Sequence, residues 1–107
     1  MTRRIAPVHP GEILYEDLMK PLGLTQNRLA EKLGVDPGRI NSIVQGKRTI
    51  TADTALRFAR YLKTTPGCWM NLQTRYDLTV AKQAKGQEIK KHVKPRLGKP
   101  GTVSLQA

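Results

Sequence analysis

The chain has 107 residues, 38% hydrophobic and 5% aromatic, with a formal net charge of +11 and a sequence pI near 10.3. That length suits one domain with one modest core, no apolar run reaches the length that spans a bilayer, and the basic balance points to a polyanion partner, most often nucleic acid. The lone cysteine, Cys68, excludes an intramolecular disulfide, and the opening MTRRIAPVHPGE has no apolar stretch after its arginines, unlike a secretory signal; the expectation is a reducing cytoplasm.

Residues 1–8 read as an irregular N-terminal arm. A first helix is expected after His9, with Pro10 at its first position and Glu12 in its first turn, where negative charge suits the helix dipole. Ile13, Leu14 and Leu18 face inward, and Pro21 is expected to stop this helix near Met19. Leu22 and Leu24 bridge to Thr25, which reads as an N-cap without the acidic partner of a capping box, because Arg28 occupies that position.

Gln26 to Gln45, QNRLAEKLGVDPGRINSIVQ, is the most informative stretch. Leu29, Ala30 and Leu33 form an apolar stripe, and Gly34 follows where a helix must stop. Asp36 stands as the next N-cap with Pro37 at the first helical position, and Ile40, Ile43 and Val44 give the second helix a buried face. Small Ala30 suits the closest point of two steeply crossing helices. This is the pattern of a helix-turn-helix, whose second helix enters a DNA major groove. Its exposed positions are Gly38, Arg39, Asn41, Ser42 and Gln45, with no acid among them.

Gly46, Lys47 and Arg48 read as a helix stop with two cations. Thr51 caps a fourth helix, with Ala52, Ala55, Leu56, Ala59 and Leu62 on its inner face and Arg57, Arg60 and Lys63 turned away. Thr65-Pro66 repeats the cap-then-proline start for a fifth helix, lined on one side by Trp69, Leu72, Tyr76 and Val80. Domain boundaries are expected at 9–81, followed by a basic tail at 82–107 broken up by Gly86, Pro95, Gly98, Pro100 and Gly101. The tail holds seven of the 19 Lys and Arg residues and one of the eight acids. It reads equally as a DNA-binding arm or as a solvated end. Val103-Ser104-Leu105 offers a short strand only if something pairs with it.

Four segments carry a family likeness: HPGEIL at 9–14, GLTQNRLAEKLGV at 23–35, INSIVQGKRTITADTALRFARYL at 40–62 and CWMNLQTRYDL at 68–78. Together they resemble the HigA antitoxins, VapI-like members of the Xre/Cro-like helix-turn-helix group. The resemblance covers roughly residues 9–80. It implies an all-α, five-helix, lambda-repressor-like fold and a homodimer that binds double-stranded operator DNA. It also implies a cognate HigB-like toxin of the RelE type that cleaves mRNA, neutralised by the antitoxin, which represses the shared operon. By position, Gly38, Arg39 and Ser42 match base-reading residues, and Gln26, Gln45 and Lys47 match phosphate-side residues.

The chemistry of the side chains leads to a similar set. Arg39 can donate two hydrogen bonds to guanine, with Asn41 and Ser42 adding shorter contacts; an arginine here can also face solvent or pair with a glutamate. Gly38 leaves room for close approach to the groove. Gln26, at a helix N-terminus, suits phosphate, and Lys47, Arg48 and Arg3 or Arg4 add salt-sensitive attraction. Trp69, Leu72 and Tyr76 read first as core and second as a dimer contact. Catalysis is not expected: His9 and His92 lack metal-ligand spacing, Cys68 has no histidine near it in sequence, and no glycine-rich phosphate loop is present. No cofactor is expected. The competing function is a stand-alone Xre-type repressor without a toxin.

Overall fold

The computed structural model describes residues 6–102, and among these it contains five helical rods and no strand. The first rod, α1, runs through Pro10–Ile13, a wide π turn at Leu14–Met19 and a last turn at Lys20–Leu22. Then come α2 (Gln26–Leu33), α3 (Pro37–Val44), α4 (Ala52–Leu62) and α5 (Pro66–His92). The arm residues Arg3 and Arg4 and the strand considered at Val103 to Leu105 lie outside the described residues.

Each helix starts where a capping side chain meets the free N–H groups of a first turn. The Thr25 hydroxyl accepts from the Arg28 N–H at 3.1 Å, the Asp36 carboxylate from Gly38 at 2.9 Å, the Thr51 hydroxyl from Thr54 at 3.4 Å and the Thr65 hydroxyl from Cys68 at 3.2 Å. α1 is capped by an imidazole: His9 Nδ1 accepts from the Gly11 N–H at 2.9 Å. Gly34 closes α2 with φ 71°, the left-handed geometry that glycine adopts without a steric cost.

Two boundaries depart from the sequence reading. Pro21 does not stop α1, which runs on to Leu22 and ends at Gly23. The hydrogen bonding has already left the regular register there: Lys20 donates to Tyr15, Gly23 to Lys20 and Leu24 to Met19. A proline that lacks its N–H therefore interrupts no α-helical ladder. Likewise α5 continues past 81 to His92, with Gly86 inside it. A single glycine costs only about 1 kcal/mol in a helix interior, too little to end a rod flanked by good helix formers.

The core gathers Leu14 and Met19 of α1, Leu29, Ala30 and Leu33 of α2, Ile40 and Ile43 of α3, Ile50, Ala55 and Phe58 around α4, and Trp69 of α5. Full burial of each large side chain contributes about 1.5–3 kcal/mol. Phe58 and Trp69 meet edge to face with centroids 5.0 Å apart. The indole N–H, which burial would otherwise strand, donates to the Thr64 hydroxyl at 2.7 Å. The inner face of α4 is turned from the expected one: Thr54, Ala55, Phe58 and Ala59 are buried, whereas Ala52 and Leu56 are exposed. Phe58 is the bulkiest apolar side chain of the helix and wins the inward position. Val80, expected on the inner side of α5, is exposed, and the buried positions there are Trp69 and Gln73.

Candidate nucleic-acid interface

α2 and α3 pack across the turn at Gly34 and Val35, with Leu29, Ala30, Leu33, Ile40 and Ile43 buried and the N-terminal half of α3 left open. The open edge carries Gly38, Asn41 and Gln45, all exposed, and Ser42, half-buried. Gly38 has a local reason to be glycine: a Cβ there would stand 2.7 Å from the Asp36 oxygen that caps the helix. The smallest side chain thus keeps the cap and brings the main chain of α3 to the surface.

Gln26 and Asn41 form one unit. The Asn41 amide donates to the Gln26 side-chain oxygen at 2.9 Å, so the first residue of α2 fixes the orientation of a side chain on the outward face of α3. That bond uses neither the Gln26 amide nitrogen nor the Asn41 side-chain oxygen, which leaves a donor and an acceptor on the pair. Such a pair can meet a phosphate and an adenine edge together.

Arg39, expected to read a base, is instead paired with an acid within the fold. Its guanidinium donates to Asp53 at 3.1 Å and reaches the Thr54 hydroxyl at 3.5 Å, and its side chain is 32% exposed. Asp53 also accepts from Arg57 Nε at 2.8 Å. Hydrogen bonds from Arg57 and then Arg39 hold the Asp53 carboxyl below its ordinary value. Sequence reasoning missed Asp53 as a partner because α4 lies fourteen residues downstream, and it missed Arg57 by turning that face of α4 to solvent. Arg39 points along α3 toward the start of α4, and reading a base would require it to exchange Asp53 for guanine.

Lys47 and Arg48 lie exposed on the segment that joins α3 to α4. Gly46 turns the chain there with φ 76°. Among the described residues no group of His, Cys, Asp and Glu is arranged to hold a metal ion, and no helix is long and apolar enough to cross a membrane. Of the three aromatic-stripe residues, Trp69 is buried in the core, while Leu72 and Tyr76 are half-buried beside Val8 and Ile13.

The family model described as helix-turn-helix matches residues 16–67, which contain α2, α3 and α4. Virulence-associated protein I of Dichelobacter nodosus is 54% identical over 78 residues, 73% of this chain and 72% of that protein. An addiction module antidote protein of the HigA family from Coxiella burnetii superposes with a TM-score of 0.82 at 44% identity, over 86% of this chain and all of that one. The Pseudomonas aeruginosa antitoxin HigA, solved with the higBA promoter, gives a TM-score of 0.83 at 40% identity, over 85% of this chain and 99% of that one. With its capped two-helix reading unit, its five-helix fold and these likenesses, the chain belongs to the HigA-type antitoxins of the helix-turn-helix family, a group of DNA-binding regulators rather than enzymes.

Proposed function

We propose that the chain is the DNA-binding antitoxin of a toxin–antitoxin pair, acting in the cytoplasm as a homodimer that represses its own operon. The observation that carries this reading is the paired Gln26 and Asn41 on the open edge of α2 and α3, next to an exposed helix start at Gly38. Neutral hydrogen-bonding groups there read base edges, and the nearby Lys47 and Arg48 supply attraction to phosphate that weakens with salt. Gln45 stands beside them at the end of α3. One reading helix per subunit sets the half-sites of a palindrome about one helical turn apart, roughly 10–10.5 bp.

The partner toxin is an mRNA-cleaving protein of the RelE-like type, encoded beside this chain. Two measurements test the reading. Footprinting on the DNA upstream of its own gene should protect two half-sites, and co-expression with the neighbouring open reading frame should yield a stable complex and relieve growth arrest. Two protected half-sites without any toxic neighbour would leave a stand-alone repressor, and a single protected half-site at every concentration would remove the dimer.

A further inference from the structure

The two segments that frame the reading unit in sequence, HPGE at 9–12 and LQTRYD at 72–77, meet in space at the loop carrying Lys47 and Arg48. His9 is the centre of this meeting. Its ring is buried, and its Nδ1 is occupied by the Gly11 N–H. One edge lies against Tyr76 of α5, with ring centroids 4.8 Å apart. Another side faces Gly46, whose missing Cβ would stand 3.6 Å from the imidazole. Gly11 brings the start of α1 directly onto the end of α3, where a Cβ would overlap the Ile43 carbonyl.

The far end of the same loop is held by α5 as well. Gln73 is 4% exposed, and its side-chain oxygen accepts from the Ile50 N–H at 2.8 Å. Its amide donates to Asp77 at 3.0 Å, and Asp77 is the carboxylate that acts on His9 through space. A polar chain therefore runs from the Ile50 N–H through Gln73 to Asp77, whose charge bears on His9 through space. The loop between α3 and α4 is bonded to α5 at its Ile50 end and packed at its Gly46 end against His9, which itself rests on Tyr76 of α5, while its middle, with Lys47 and Arg48, stays exposed. Gln73, the buried side chain of this polar chain, has both ends of its amide bonded, and a satisfied buried polar group fixes geometry. No buried side-chain polar atom among the described residues lacks a partner.

We infer that His9 and Gln73 are positioning residues for DNA binding, which hold the Gly46 to Ile50 loop so that the Lys47 and Arg48 charges meet the phosphate backbone from a fixed frame set by α5. This rests on the DNA-binding reading above. Neither residue touches DNA; both act through the loop.

His9→Asn is the informative variant, because asparagine retains an N-cap acceptor for α1 and removes the ring that touches Gly46 and Tyr76. Full-length protein is titrated with a duplex from its own upstream region and with a mixed-sequence duplex, across a salt series, well below the melting temperature. The expected result is about a tenfold loss of affinity on both duplexes with a shallower salt dependence, since misplaced cations release fewer counterions. Gln73→Leu should act in the same direction. The decisive measurement is the double-mutant cycle with Lys47→Ala. If His9 positions the loop, Lys47→Ala costs less affinity in the His9→Asn background than in the parent. Additive effects, or an unchanged salt dependence, would overturn the inference while DNA binding stands. A parent protein that binds neither duplex would overturn the DNA-binding reading and this inference with it.

Discussion

Arg57 donates through Nη1 to the main-chain carbonyl of Leu33 at 2.8 Å, across twenty-four positions of sequence. Leu33 ends α2, where the last carbonyls have no partner within the helix. A cation there both fills the hydrogen bond and suits the negative end of the helix dipole. Arg57→Ala should therefore lower stability by about 1–2 kcal/mol, less than a fully buried charged hydrogen bond because the arginine is partly exposed. Chemical denaturation reads this directly. Arg57→Lys should recover only part of the loss, since one ammonium cannot serve Asp53 and Leu33 with the planar geometry of a guanidinium.

The interface residues should separate by kind. Asn41→Ala should cost about 1–3 kcal/mol on the operator and relax preference at one base position. Lys47→Ala should weaken all sequences alike and reduce the salt slope by about one unit. Arg39→Ala distinguishes two roles. A base reader loses operator affinity against scrambled DNA, whereas a strut to Asp53 lowers the melting temperature and leaves the ratio of the two affinities unchanged.

Gly86 offers a stabilising change. It lies within α5, and a Cβ there would meet only Lys82 Cγ at 3.5 Å, an ordinary contact. Gly86→Ala should add about 0.5–1 kcal/mol through the smaller entropy lost on forming the helix. Circular dichroism should show more helix and a higher melting temperature.

Acid should act in two separate windows. Burial holds the His9 imidazole below its ordinary 6.5, against Asp77 of α5 and the Arg48 main chain, which both raise it. The unfolded chain then binds the proton more readily, so the stability His9 contributes is present above 6.5 and is lost as pH falls from there toward its folded value. Asp53 is held below its ordinary 3.8 by Arg57 and Arg39. Its contribution is present above 3.8 and is lost as pH falls through its lower folded value. His9→Asn should remove the first loss and Asp53→Asn the second, as read from melting temperature against pH.

The local code of the chain was legible because it is local. Thr25, Asp36, Thr51 and Thr65 cap the next turn within three residues, Gly34 stops its own helix, and the stripe Leu29, Ala30, Leu33, Ile40 and Ile43 needs only helical periodicity to be found. What escaped the sequence depends on distance along the chain. The pairing of Arg39 with Asp53 joins two helices whose relative rotation no periodicity reports, and the same rotation exchanged Leu56 for Phe58 on the buried face of α4. Gln73 lay inside a motif already singled out, yet a glutamine reads as surface until the Ile50 N–H it satisfies is seen. Pro21 and Gly86 read as breaks in the sequence, and each is tolerated inside its helix for a reason written in its neighbours.

The wide turn at Leu14–Met19 has a consequence for the far end of its helix. A π turn holds one residue more than an α turn over the same run of hydrogen bonds. Each residue of an α-helix advances the chain by about 100°. Removing one exposed residue here, such as Glu16, would let the rod close into regular α form with its start left in place, whereas winding all six residues as α-helix would swing everything before them by about that angle. His9 and Gly11 would then point away from Gly46 and Ile43, although no atom of either had been altered. The wide turn in α1 is thus a phase setting: it absorbs the extra residue and keeps the start of the helix at the bearing at which an imidazole and a bare glycine both face the end of the reading helix.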